Sequence, residues 1–163
     1  MKVNFLENDC KEPARNDLLF GLCDDQNGEK AYSTNDSHSK WIATVKNEKG
    51  ISLIFTPVDN CLIKNNEFVG RGRCDGLLTS TEHLFFIELK DQAKSWITHA
   101  VEQLESTIEF FKESHDVNSF RHKKAFACNK QHGHFQEVDN EINLSFFRKH
   151  KIRLDIQADI IVI

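Results

Sequence analysis

No apolar run among the 163 residues approaches the roughly 20 that a bilayer-crossing helix requires, so no membrane-spanning helix is expected. The N-terminus does not read as a secretory leader either: Met1-Lys2-Val3-Asn4-Phe5-Leu6-Glu7-Asn8-Asp9 is too acidic and too poor in apolar residues, which points to the cytoplasm. No Cys-x-x-Cys is present. The five cysteines, Cys10, Cys23, Cys61, Cys74 and Cys128, are odd in number and widely spaced, which argues against a disulfide framework or a structural zinc site. Reduced, mostly buried thiols are the expectation. Basic charge is not in excess: 21 Lys and Arg stand against 25 Asp and Glu, for a net charge of -4. That balance disfavours a protein that coats nucleic acid and confines any phosphate contact to a local patch. Internal repeats, low-complexity tracts and linkers are missing, so the chain reads as one domain, 1–163, around a single core. With one Tyr and one Met, the aromatic weight falls on thirteen Phe, a composition suited to packing rather than disorder.

Residues 1–40 are polar, interrupted by the apolar knot Leu18-Leu19-Phe20-Gly21-Leu22, read as a short helix or an extended packing segment. From Lys40 the pattern changes. Trp41 to Val45, a turn at Asn47-Glu48-Lys49-Gly50 and Ile51 to Thr56 read as an antiparallel hairpin that Pro57 ends. A second hairpin pairs Gly72 to Leu78 with Leu84 to Lys90 across the polar turn Thr79-Ser80-Thr81-Glu82-His83. The spacing of Ala93, Ile97, Ala100, Val101, Leu104, Ile108 and Phe111 then predicts a helix from about Asp91, its expected N-cap, to Glu113. Lys123 to Cys128 reads as a strand parallel to the one carrying Glu88, with the helix as crossover. A shorter helix over Glu141 to His150 and a closing strand or strand pair over Ile152 to Ile163 complete a mixed sheet flanked by helices, in the α/β or α+β class.

One strand calls for more than packing. In Leu84-Phe85-Phe86-Ile87-Glu88-Leu89-Lys90 side chains alternate, so Glu88 and Lys90 share a face with Phe86, while Phe85, Ile87 and Leu89 fill the other. Charges on an otherwise apolar strand require a partner, a metal or a task. Thirteen residues separate Asp75 from Glu88, enough to run along one hairpin arm and back, which sets the two carboxylates side by side across paired strands. A hard divalent cation such as Mg²⁺ suits such a pair, because it takes oxygen ligands, often just one or two carboxylates, and keeps several waters.

Asp75, the triplet Glu88-Leu89-Lys90 and the helix after it resemble the active-site core of the PD-(D/E)XK nuclease superfamily, over roughly residues 70–130. The resemblance implies a restriction-endonuclease-like core at about 40–130 with a C-terminal helix and strand extension. It also implies a hydrolase that cuts phosphodiester bonds in DNA with Mg²⁺ or Mn²⁺, frequently as a homodimer. By the same resemblance, Asp75, Glu88 and the Leu89 carbonyl would hold metal, Lys90 would assist the attacking water, and Gln103 would take the place of the family's helical Gln. Thr107 stands where a Gln-x-x-x-Tyr signature has its Tyr, and Cys74 where a Pro often precedes the first acid; Asp59, after Pro57-Val58, comes too early to serve. Glu7, Glu12 and Asp17 are candidates for the further acid that the family takes from its first helix.

Arg71, Arg73, Lys123, Lys124, Asn129 and Lys130 are candidate phosphate contacts around such a site, and Arg73, two residues from Asp75, could neutralise it instead. Competing readings are a catalytically inactive member of the same fold, binding nucleic acid or protein through an ion-pair network, and an acidic immunity or inhibitor protein masking a basic partner. His132-Gly133-His134 with His99 and Cys128 matches no structural zinc spacing and reads as loop.

Overall fold

The computed structural model describes residues 3–131 and 140–163, so the His132-Gly133-His134 segment lies outside the described residues. Nine strands are described: β1 (Leu19–Cys23), β2 (Tyr32–Thr34), β3 (Ala43–Lys46), β4 (Ile54–Pro57), β5 (Gly76–Thr79), β6 (His83–Lys90), β7 (His122–Asn129), β8 (Arg153–Ile156) and β9 (Asp159–Ile161). Two α-helices, α1 (Ile97–Lys112) and α2 (Asn140–His150), accompany them. The strands form two mixed sheets, one of order β2-β1-β3-β9 and one of order β4-β5-β6-β7-β8. The fold is α+β. Among the described residues no helix is long and apolar enough to cross a membrane.

The alternation along β6 sets the layering. Leu84 and Phe86 join Leu77 of β5, Ala125 and Ala127 of β7 and the α1 residues Ala100, Leu104, Ile108 and Phe111 in one core. Phe85, Ile87 and Leu89 join Phe126 and Cys128 and the inward residues of the other sheet, Phe20, Leu22, Val45 and Ile160, in a second. The five-stranded sheet is therefore covered by helices on one face and by the four-stranded sheet on the other. This explains why all eight residues of β6 are buried.

β5 and β6 form the expected hairpin, with Gly76 opposite Ile87 and Thr79 opposite Leu84, although the first strand begins at Gly76 rather than Gly72. β6 and β7 run parallel from His83 beside His122 to Lys90 beside Asn129. The expected hairpin of residues 41–56 does not form: β3 pairs with β1 and β9, whereas β4 pairs with β5. Its turn is real, since Gly50 N donates to the Asn47 carbonyl at 3.0 Å, and the buried Asn47 side chain ties the Ile51 backbone on the far arm to the Asp17 carbonyl just before β1. The chain uses that turn to pass from one sheet to the other. α1 starts at Ile97, six residues after the expected cap, because Ser95 takes a left-handed φ of 57° and Trp96 is the N-cap.

A disulfide joins Cys10 to Cys61, across a separation of 51 residues, and corrects the expectation of reduced thiols throughout; Cys23, Cys74 and Cys128 are free and buried. It staples the N-terminal segment to the loop between β4 and β5. Such a bond suits an oxidising compartment better than a reducing cytoplasm.

Candidate active site

The helix-facing row of β6 runs Leu84, Phe86, Glu88, Lys90, and α1 covers only its first half. Its charged end opens into a cavity of about 310 Å³ whose lining includes Asp24, Asp59, Asp75, Glu88, Lys90 and Arg73, with His99 and Gln103 on the helix side. Asp75 is 8% exposed, Glu88 4% and Lys90 9%. The residues brought together by the sequence pattern therefore meet in one pocket.

Backbone ladders fix Asp75 from both sides. Its N–H donates to the Ile87 carbonyl at 3.1 Å and its carbonyl accepts from Val58 N–H at 2.9 Å, while the carboxylate Oδ2 accepts from Leu89 N–H at 2.7 Å. Because a strand residue presents its N–H and C=O along the same edge, the Leu89 carbonyl faces the Asp75 side as well. Just upstream, Cys74 N–H donates to the Thr107 hydroxyl at 2.6 Å, and that hydroxyl donates to the Gln103 carbonyl at 3.0 Å. Thr107, in the place of a signature tyrosine, thus ties α1 to the segment that carries Asp75.

The electrostatics are crowded. Five carboxylates line the pocket, Asp24, Glu29, Asp59, Asp75 and Glu88, against two permanent cations, Arg73 and Lys90. Burial, and then the neighbouring Glu88 and Asp24 charges, push the Asp75 carboxyl well above the usual carboxylate range. Burial also lifts Glu88 to about 7, against the opposing pull of Lys90. Asp24, Asp75 and Glu88 thus crowd one end of the pocket, and burial favours the neutral form of both Asp75 and Glu88. Lys90 Nζ stands 3.0 Å from Glu88 Oε2, whereas Glu88 Oε1 is buried with no hydrogen-bond partner.

Arg73 does not neutralise Asp75. Its Nε lies 2.7 Å from Asp59 Oδ1 and its Nη2 donates to Asn65 at 3.2 Å, so it forms a wall of the pocket. Asp59, which its position in the sequence set aside, is brought into that wall by the chain beyond β4. A further carboxylate in the pocket is that of Asp24, directly after β1; of the three sequence candidates, Glu7 is exposed, Glu12 binds Ser33, and Asp17 binds Arg15 and Asn35. An acid pair, Asp24-Asp25, ending a buried strand was the available signal. Gln26 and Asn60, both lining the pocket, have left-handed φ values of 59° and 64°, a strain that concentrates around sites.

The remaining candidates scatter. Lys130 lies close by, lining an adjoining cavity of about 390 Å³ with Asp24 and Lys40, and donates to the Ser39 carbonyl at 2.6 Å. Asn129 is fully buried and its amide serves the segments after β6 and β7, donating to Gln92 O at 2.7 Å and accepting from Gln131 N at 3.0 Å. Arg71 pairs with Glu113 at 2.7 Å and stacks on Phe110. Lys123 and Lys124 sit beside Leu84 and Phe85, at the far end of β6, about 20 Å from Lys90 at ~3.3 Å per strand residue. Lys124 is paired with Asp155.

Comparison of the chain with protein-family models, with curated proteins and with solved structures finds no match in any of the three.

Proposed function

We propose that this protein is a metal-dependent hydrolase of phosphodiester bonds, with DNA as substrate and the Asp75–Glu88–Lys90 pocket as its centre. The observation that carries the reading is Glu88 Oε1, a carboxylate oxygen buried without a partner beside a second carboxylate. Leaving such an atom unsatisfied is costly, and burial holds both acids toward protonation. A dication would offset that cost. Among the described residues no group of three or more His, Cys, Asp or Glu side chains is arranged to hold a metal ion. Mg²⁺ does not need one, since two carboxylates, a backbone carbonyl and waters suffice, and Asp75, Glu88 and Leu89 supply that set.

Once bound, the ion would act as a Lewis acid and lower the pKa of a coordinated water. The chain's own contribution is orientation. The Leu89 amide fixes Asp75, and Lys90 fixes one oxygen of Glu88 while directing an ammonium toward charge that builds on an attacked phosphate. The test is cleavage of single-stranded, duplex and branched DNA, and of RNA, by purified protein with Mg²⁺ or Mn²⁺. Cleavage is expected on at least one DNA substrate and should be lost in Glu88→Ala and Lys90→Ala; silence on all four defeats the reading.

A second reading is a non-enzymatic binding module of the same architecture. The Lys90–Glu88 and Arg73–Asp59 ion pairs favour it, because they already neutralise part of the pocket. Calorimetry separates the two: uptake of Mn²⁺ that Glu88→Gln abolishes supports the enzyme, and no uptake supports the module.

A further inference from the structure

The pocket is strongly acidic, and an anionic phosphate entering it needs hydrogen-bond donors besides any cation. Its two permanent cations are already engaged, Lys90 with Glu88 at 3.0 Å and Arg73 with Asp59 at 2.7 Å. A third nitrogen base lines the cavity. His99, exposed on the first turn of α1, where no acidic residue stands, has its Nε2 3.2 Å from the side-chain Nε2 of Gln103.

That contact dictates a tautomer. A primary amide nitrogen only donates, so the imidazole Nε2 must offer its lone pair, and the ring hydrogen then resides on Nδ1. The Gln103 amide lies against the loop before Asp75: a Cβ built on Gly72 would meet Gln103 Oε1 at 2.4 Å, so the glycine leaves the amide room in this position. Gly72 stands three residues before Asp75, so the pair on α1 packs beside the segment that carries the carboxylate.

We propose that His99 is a substrate-contacting residue of this site, donating its Nδ1–H to a non-bridging phosphate oxygen of the strand being cut. Gln103 is the positioning residue that fixes which ring nitrogen carries the hydrogen. The inference rests on the hydrolase reading above, and it assigns Gln103 to the imidazole rather than to the metal or the water. Histidine suits the task because it donates in its neutral form and gains charge when protonated, so it holds an anion without permanently pairing with the surrounding carboxylates.

Two measurements test it. Imidazole ¹⁵N shifts of the full chain should report the Nδ1–H tautomer at His99, and Gln103→Leu should mix the tautomers; an Nε2–H ring in the unmutated protein overturns the proposal whatever the activity. Steady-state cleavage of a fluorescein-labelled DNA 12-mer with Mg²⁺ is the second. His99→Ala should raise KM about tenfold with kcat nearly unchanged, as expected for a hydrogen bond to a charged group made equally in ground and transition states. Gln103→Leu should raise KM less, and the double variant should be no worse than His99→Ala alone. Additive effects, or a loss confined to kcat, overturn it. Wild-type protein that cleaves no DNA overturns the hydrolase reading and this inference together, whereas cleavage with an unchanged KM in His99→Ala overturns this inference alone.

Discussion

Glu88→Gln should flatten the fall in stability from acidic to neutral pH, and the size of the effect follows from the buried pocket. Burial raises the Glu88 carboxyl from an ordinary 4.5 to about 7 in the folded chain, so the native state binds the proton more tightly than the unfolded one. This contribution to stability is fully present below about 4.5 and is lost as pH rises through about 7. At about 1.4 kcal/mol per tenfold change, the loss amounts to about 3 kcal/mol. Asp75, displaced in the same direction, adds to it. For a chain of this length that is a fall in Tm of about 10 °C. Glutamine keeps the shape of Glu88 and an acceptor for Lys90 but cannot ionise, so its stability should decline much less between pH 5 and pH 8. The assay is a set of thermal and urea melts at pH 5, 6, 7 and 8 in EDTA, repeated at pH 8 with Mg²⁺. Mg²⁺ should raise the wild-type midpoint and leave Glu88→Gln unmoved. Equal pH slopes in the two proteins, or a steeper one in the variant, would refute the argument that a buried, unsatisfied carboxylate is being ionised.

Thr107→Val should cost about 1–3 kcal/mol, since it leaves the buried Cys74 N–H without its acceptor, and urea melts measure this directly. If α1 positions Asp75 through this contact, the variant should also weaken Mn²⁺ binding by calorimetry. Cys10→Ser, or dithiothreitol on the unmodified protein, should lower stability by about 4 kcal/mol on the loop-entropy estimate for 51 residues, with no additive loss when the two are combined.

Much of the central sheet was legible because period-two alternation fixes faces outright. Phe86, Glu88 and Lys90 could not be placed on opposite sides of a strand, and the hairpin back to Asp75 left few registers open. Pairing between sheets carried no comparable signal. The Asn47–Gly50 turn and its flanking apolar runs have the local chemistry of a hairpin, yet β3 and β4 find partners in different layers, a choice made by long-range burial. α1 was overextended because Ala93 falls on the helical period by position alone, while the left-handed turn at Ser95 has no glycine to announce it. Asp24 escaped notice for a similar reason: it is a loop residue delivered to Asp75 by the packing of one sheet on the other. The Cys10–Cys61 pair lacks any characteristic spacing, so only the folded path of the N-terminal segment shows it.

β8 and β9 are separated by two residues, yet the first completes the five-stranded sheet beside β7 and the second borders the four-stranded sheet beside β3. On the ribosome, neither layer has its full set of strands until residues 153–161 have been made, and the β3–β9 register joins positions more than a hundred residues apart. Closing so long a loop carries an entropic cost, so both layers are expected to complete their strand sets only after this segment emerges.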